Sequence, residues 1–199
     1  MSLINQILLF FGSYTPLVSF LGAIIGGEET LILLSILSSN GYLTAWVVLL
    51  FFYLGILVSD TIWFFLGKSK LFDWFVKRKI ISRVYLRWDK LLTKATKGSS
   101  FHALFITKFL YGFRIPTIMY LGREKVKVKS FLFDSAIIDF IWTLVVFAIG
   151  WFAGKGILLA TDLSKNIVLY LLLVGITFII FTIIVRILSG LIKKWLIKK

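Results

Sequence analysis

Long apolar stretches alternate with short basic segments along the chain. The apolar runs at 42–67, 131–153 and 166–189 each exceed the roughly 20 residues that a helix needs to cross a bilayer. We therefore predict a transmembrane helix in each of these three ranges. A fourth span is predicted at 3–19, although no charged residue marks its start.

Two further apolar runs contain residues that interrupt a helix. The run 20–41 carries the sequence GGEE at 26–29, and the run 101–122 carries a glycine and a proline within 112–116. Glycine permits a turn, and proline removes a backbone donor. Each run is therefore predicted to form a hairpin of two short helices.

Basic residues decide how the second hairpin meets the membrane. Ten Lys and Arg residues fall within 68–97, four within 123–129 and four within 193–199. Loops with such an excess face the cytoplasm, so the run 101–122 starts and ends on the same side. It is predicted to be a re-entrant hairpin, and 20–41 a second one that enters from the outer side. Segment 68–100 is predicted to lie at the cytoplasmic interface.

The two halves of the chain follow one plan in opposite orientations. Each has a broken hairpin and then a span with a carboxylate, and the tetrapeptides DTIW (60–63) and DFIW (139–142) occupy matching places. Many secondary transporters use such inverted repeats. The predicted fold is a single all-α polytopic membrane domain over 1–199, with a hairpin and span at 20–67 and again at 101–153.

Composition supports a membrane protein and excludes several chemistries. The chain is 59% hydrophobic, and its mean hydropathy is +0.97. It has no cysteine and one histidine, so thiol catalysis and two-histidine metal sites are excluded, and we predict neither a cofactor, a metal nor an enzyme. The net charge is +14. We interpret it as the charge of loops that contact anionic lipid head groups, and not as a sign of nucleic-acid binding. Oligomerisation is left open.

Several charged residues fall inside the apolar segments, where ionisable groups are expensive and usually functional. They are Glu28, Glu29, Asp60, Asp134, Asp139, Lys108 and Arg114. We expect Arg114 to face a carboxylate, with Glu28 or Glu29 as the partner that the opposed hairpins would bring to it. The alternative is that such a pair only holds the hairpins in register. Asp134 is interpreted as an interfacial cap.

Four motifs occur in order between residues 20 and 155. They are GGEETLILLSILSSNGYL (26–43), VSDTIWFFLGK (58–68), KFLYGFRIPTIMYLG (108–122) and FLFDSAIIDFIW (131–142). Together they resemble the signature of the DedA family of membrane proteins, also called the VTT or SNARE-associated family. The matching positions are Glu29, Asp60, Gly67, Lys68, Phe109, Arg114, Gly122 and Trp142.

The chain also departs from the family pattern. Lys108 stands where an arginine is usual, Tyr111 replaces a proline, and Asp134 replaces an asparagine. Lysine keeps the charge of arginine but loses the bidentate geometry that suits phosphate.

The resemblance implies two opposed re-entrant hairpins and lipid translocation in a prokaryotic plasma membrane. We therefore expect a proton-coupled transporter of a lipid phosphate such as undecaprenyl phosphate. Arg114 and Lys108 would bind the substrate. Proton coupling would use Glu29 or Glu28, with Asp60 and Asp139. The alternatives are an uncoupled phospholipid scramblase, a structural membrane factor, and a proton exchanger for small ions or drugs.

Overall fold

The computed structural model describes residues 12–69, 99–108, 114–124 and 126–162, with seven isolated positions between 175 and 187. Six helices have defined bounds within these ranges, and no strand occurs there. They are α1 (Thr15–Ile25), α2 (Glu28–Ser39), α3 (Ala45–Lys68), α4 (Ser100–Lys108), α5 (Arg114–Arg123) and α6 (Val128–Asp162). Two short helices followed by one long helix therefore occur twice in the chain.

Local sequence explains how the first short helices begin and end. Pro16 lies in the first turn of α1, where its missing N–H is not needed. The helix ends at Gly26, and Gly27 adopts φ 61° and ψ −145°, a conformation essentially restricted to glycine. Asn40 follows α2 and donates from Nδ2 to the Ile36 carbonyl oxygen at 2.7 Å.

Helices α3 and α6 are long and apolar enough to cross a membrane. The crossing segment of α3 is Ala45–Lys68, and that of α6 is Val128–Gly156, each with a mean hydropathy of 2.1. These confirm the helices predicted at 42–67 and 131–153. Helix α6 extends beyond its predicted range because the sequence 154–162 contains no proline and therefore no strong helix breaker.

One predicted boundary was wrong, that between residues 19 and 20. The chain turns at Tyr14, and α1 then runs through the predicted limit between residues 19 and 20. Residues 15–19 therefore belong to the same helix as residues 20–25, and residues 3–11 of the predicted span lie outside the described part of the chain. A break was predicted near residues 112–116, and α5 begins within that range, at Arg114, with Pro116 in its first turn. A proline in a first turn starts a helix well.

Other predictions fall outside the described residues. Most of the predicted interfacial segment 68–100 lies in this category, and the span 166–189 is described only at isolated positions, all of them helical. The re-entrant path of the hairpins and their inverted repeat remain predictions, as does the single membrane domain.

The chain forms two compact units, each with its own apolar core. Unit 1 comprises Met1–Val58 and Asp139–Ile183, and unit 2 comprises Ser59–Ile138 and Ile184–Lys199. Each unit contains one pair of short helices and a part of both α3 and α6. The core of unit 1 includes Leu31, Leu34, Val48, Phe52 and Val146, and that of unit 2 includes Phe64, Leu104, Ile118, Leu121 and Phe131.

Small residues allow helices to approach closely within unit 1. A Cβ on Gly150 would lie 1.8 Å from Ser35 Oγ, and one on Gly154 would lie 2.0 Å from Ser39 Oγ. Both pairs are spaced four residues apart, so one face of α6 packs on one face of α2. Small residues at this spacing are typical of helix contacts in membranes.

Unit 2 has a comparable close contact between α3 and α5. A Cβ on Gly67 would lie 2.1 Å from the Met119 carbonyl oxygen, and one on Gly122 would lie 2.2 Å from the Phe64 carbonyl oxygen. The obstructing atoms belong to the backbone and cannot rotate away. This contact fixes α5 against the part of α3 that carries Asp60.

Candidate functional site

A buried ion pair joins α3 to α5 in unit 2. Asp60 lies eight residues before the end of α3 and is 2% exposed. Arg114 is the first residue of α5, and its side chain is 18% exposed. The Arg114 Nη2 donates to Asp60 Oδ1. The structure therefore gives Arg114 a carboxylate partner, as predicted, and that partner is Asp60.

A third helix contributes to the same carboxylate. Ser135 of α6 donates from Oγ to Asp60 Oδ2 at 3.4 Å and is itself buried. Asp60 thus meets groups from α3, α5 and α6, all within unit 2. Sequence reasoning missed Ser135, because a single serine in an apolar helix gives only a weak signal. Its place four residues before Asp139, on a span with a motif match, was the available indication.

The position of Arg114 at a helix start explains why it requires an anion. A helix N-terminus carries partial positive charge, which opposes a cation and favours an anion nearby. The Asp60 carboxylate compensates for the charge of the guanidinium. A phosphate would be favoured at the same place for the same reason.

Lys108 is a buried cation of unit 2. It is the last residue of α4 and is 8% exposed. A cation at a helix C-terminus is favoured by the helix dipole. The neighbouring Thr107 bonds within its own helix, donating to the Leu104 carbonyl oxygen at 2.8 Å. The two residues that we predict to bind phosphate therefore both lie in unit 2, one as the last residue of α4 and the other as the first residue of α5.

Aromatic side chains form much of the apolar surroundings in unit 2. Phe64 and Phe131 stack with ring centroids 4.1 Å apart, and the Lys68 Nζ lies 4.7 Å from the Phe64 ring centroid. Such apolar packing lowers the local dielectric and strengthens the interaction of the charges that remain.

A further hydrogen bond in unit 2 links the start of α4 to α6. Ser100 donates from Oγ to the Asp134 carboxylate.

The remaining predicted site residues lie in unit 1. Glu28 and Glu29 are the first two residues of α2 and are partly exposed, where their charge suits the helix N-terminus. Asp139 lies on α6 and is 1% exposed. A pairing of Arg114 with Glu28 or Glu29 would join the two units and stays a prediction. Within the described residues, no three His, Asp or Glu side chains are grouped closely enough to hold a metal.

The fold and the site define an α-helical membrane protein with ionisable groups buried in its apolar units. The VTT domain, which is the domain of the DedA family, matches residues 25–152. The chain therefore belongs to the DedA family of membrane proteins, a group often linked to lipid transport. No curated protein and no solved structure matches it.

Proposed function

We propose that this protein moves a lipid phosphate, such as undecaprenyl phosphate, across the membrane with proton coupling. The observation that carries the proposal is the buried ion pair between Asp60 and Arg114 in unit 2. Ionisable groups inside a membrane protein commonly mark a substrate or proton pathway. An arginine that already holds an oxyanion has the donors that a phosphate needs.

Arg114 would alternate between two anions. In the structure, the Arg114 guanidinium donates a hydrogen bond to the Asp60 carboxylate. A lipid phosphate could take the place of that carboxylate and accept two hydrogen bonds from the guanidinium. An ionised Asp60 that loses Arg114 would be a costly buried charge, so the exchange is favoured only when Asp60 is protonated. The lipid chain would stay in hydrocarbon while the head group reaches Arg114.

Protonation of Asp60 would couple this exchange to the proton gradient. A neutral Asp60 no longer competes for Arg114, so the arginine becomes available to the substrate. Deprotonation restores the ion pair and displaces the phosphate. Ser135 stays within hydrogen-bond reach of Asp60, which keeps the carboxyl group oriented. Glu29, Glu28 and Asp139 of unit 1 are further candidates for proton transfer.

Lys108 would assist Arg114 as a point charge. Its ammonium group cannot form the planar bidentate contact of arginine, but it adds positive charge in an apolar unit. Two cations would then balance the charge of a phosphate group, which approaches −2 near neutral pH when it is a monoester.

The proposed architecture places both short helix pairs as re-entrant hairpins in an inverted repeat. The twofold occurrence of two short helices and a long helix supports this arrangement. In transporters built in this way, the site lies near the membrane midplane at broken helices. The protein would be a multi-pass protein of a prokaryotic plasma membrane, with anionic lipids at its basic segments.

The test uses purified protein in liposomes that contain either a fluorescent polyprenyl phosphate or a fluorescent phospholipid. Movement of each lipid is followed with and without a pH gradient in wild type, Arg114→Ala and Arg114→Lys. Lys129→Ala is the matched control, because it removes an exposed cation near α5. We expect gradient-dependent movement of the polyprenyl phosphate in wild type and control, a strong loss in Arg114→Ala, and a smaller loss in Arg114→Lys.

Equal movement of both lipids without a gradient would instead identify a scramblase. If the polyprenyl phosphate still moves in a folded Arg114→Ala protein, Arg114 does not bind the substrate. Retained folding is checked by the thermal unfolding midpoint of each variant in the same lipid.

A further inference from the structure

Two contacts fix how α3 and α6 run past each other in unit 2. Ser135 of α6 donates from Oγ to Asp60 of α3 at 3.4 Å. One turn later on α3, Phe64 stacks on Phe131 with ring centroids 4.1 Å apart. Four residues forward along α3 therefore correspond to four residues back along α6, so the two helices are antiparallel.

The next step of four residues in this register brings two lysines to the same level. Lys68 is the last residue of α3, and Lys127 directly precedes α6. Neighbouring helices lie about 8–10 Å apart, so two lysine side chains at one level can reach a group between them. The Lys68 Nζ also lies 4.7 Å from the Phe64 ring centroid, a cation–π contact that restricts this side chain. Both lysines are exposed, and neither forms an ion pair within the part of the chain that the structure describes.

A third cation comes from α5, which ends at the same place. Asp60 and Arg114 meet at the start of α5, and a Cβ on Gly122 would lie 3.4 Å from the Gly67 Cα. These two contacts are separated by seven residues on α3 and by eight on α5, so the two helices are parallel. Arg123 is the last residue of α5 and therefore lies beside the end of α3. Its guanidinium has the planar pair of donors that suits a phosphate.

The three cations lie at the level where a membrane changes from hydrocarbon to head groups. The crossing segment of α3 ends at Lys68, and that of α6 begins at Val128. Phospholipid phosphates are found just outside the hydrocarbon, and anionic lipids attract basic side chains there. Glu124 is the only carboxylate in the sequence 123–129, so it offsets one cation and leaves the cluster positive.

The other end of α6 carries a single lysine and serves as a comparison. Lys155 lies next to the end of the crossing segment, is exposed, and has its Nζ 5.7 Å from the Trp151 ring centroid. It resembles Lys68 in exposure and in its aromatic contact. However, it is the only Lys or Arg among the described residues of unit 1. Cations therefore converge at one end of α6 and not at the other.

We propose that Lys68, Arg123 and Lys127 bind the phosphate of one anionic phospholipid at this end of unit 2. The phosphate lies between the ends of α3, α5 and α6. Phe65 is 51% exposed one turn before Lys68 and offers apolar surface to the acyl chains. This is a defined site for one lipid molecule, in contrast to the general attraction of basic loops to an anionic membrane. It is separate from the Arg114 site and does not require that the protein transports lipid.

The test is native mass spectrometry of the full chain in detergent micelles, which measures the dissociation constant of each bound lipid. Phosphatidylglycerol and phosphatidylcholine with identical acyl chains are added separately, so the two lipids differ only in their head groups. Each basic residue near an anionic head group contributes about fivefold in affinity. We therefore expect one phosphatidylglycerol to bind on the order of a hundredfold more tightly than phosphatidylcholine.

Substitutions of the two exposed lysines test the residues of the site. Lys68→Gln and Lys127→Gln should each weaken phosphatidylglycerol binding about fivefold, and the double variant about thirtyfold. Lys68→Arg keeps the charge and should bind like wild type. Lys155→Gln is the matched control, because it removes an exposed lysine with an aromatic contact from the other end of α6, and it should leave the affinity unchanged. The thermal unfolding midpoint of each variant, measured without added lipid, checks that it is folded.

Three results would overturn the proposal. The first is an equal affinity of wild type for the two lipids, and the second is an unchanged preference for phosphatidylglycerol in the folded double variant. The third is a loss in Lys155→Gln as large as that in Lys68→Gln, because the attraction would then depend only on net charge.

Inorganic phosphate distinguishes a lipid site from a site for free phosphate. At equal ionic strength it should displace phosphatidylglycerol no better than chloride does. If it displaces the lipid better than chloride, the site binds free phosphate and the lipid assignment is wrong. None of these outcomes depends on lipid movement, so the transport proposal is tested separately.

Discussion

Units 1 and 2 are built from the same parts but differ in the charge of their short helices. In unit 1, the second short helix begins with Glu28 and Glu29. In unit 2, the first short helix ends with Lys108 and the second begins with Arg114. Each unit also contains a buried aspartate from a long helix, Asp139 or Asp60. The same backbone plan therefore supports an acidic unit and a unit in which a carboxylate is paired with a cation.

The difference shows how charge is tolerated in the two units. The glutamates of unit 1 are partly exposed and lie at a helix N-terminus, whose partial positive charge favours them. Arg114 lies at a helix N-terminus with the unfavourable sign, and Asp60 compensates for it. Substitutions in the two units should therefore have unequal effects.

The largest expected effect is that of Arg114→Ala. It leaves Asp60 buried without this partner and should lower the free energy of unfolding by about 3–5 kcal/mol. The matched change in unit 1, Glu29→Gln, should lower it by less than about 1 kcal/mol. Unfolding by SDS in mixed micelles, followed by the fluorescence of the 7 tryptophans, measures both.

A double variant sharpens this result. Asp60→Leu combined with Arg114→Met removes both charges, so most of the lost stability should return. If the double variant is as unstable as Arg114→Ala, the pair is not the reason for the loss.

Gly122→Val should have the next largest effect, about 3 kcal/mol. Its Cβ would lie 2.2 Å from the Phe64 carbonyl oxygen, so α3 and α5 must separate. Gly156→Val is the control, because nothing lies within 4 Å of the Cβ position at Gly156. Equal unfolding midpoints for the two variants would contradict the close helix contact of unit 2.

Gly27→Ala tests the corresponding turn of unit 1 and should be destabilising by about 2 kcal/mol. The backbone there has φ 61° and ψ −145°, which an alanine adopts only with strain. The loss is read from the same SDS titration. A midpoint equal to that of wild type would show that the turn between α1 and α2 relaxes without strain.

Ser135→Ala should have the smallest effect, about 1 kcal/mol, because it removes one hydrogen bond to Asp60. The contribution is separated from simple packing by repeating the change in an Asp60→Asn background. There the effect of Ser135→Ala should shrink. An undiminished effect would mean that the serine stabilises unit 2 by packing alone.

The sequence predicted those parts of the fold that depend on hydropathy and on helix-breaking residues. The two long helices follow from their apolar length, and the turn at Gly26 and Gly27 follows from the glycines. Pro16 and Pro116 were harder to interpret, because a proline either interrupts a helix or starts one. Both lie in first turns, where they start α1 and α5.

The sequence singled out the two residues of the ion pair but not their pairing. Buried charges stand out in an apolar sequence, so Asp60 and Arg114 were found individually. Their partnership joins residues 54 positions apart and depends on the close contact of α3 with α5. Hydropathy and charge along the sequence cannot show that two residues so far apart in the chain are in contact. Ser135 could not be identified for the same reason, since its role arises only from its place beside Asp60.

In the proposed function, Asp60 and a lipid phosphate compete for Arg114. The most direct test measures the binding of a fluorescent polyprenyl phosphate to the protein in nanodiscs between pH 5 and 8, in wild type and Asp60→Asn. A phosphate monoester itself titrates at about pH 6, but this change is common to both proteins. We expect tighter binding to Asp60→Asn than to wild type at pH 8, because the amide carries no charge and competes less with the phosphate for Arg114. An equal affinity of the two folded proteins at every pH would contradict this competition.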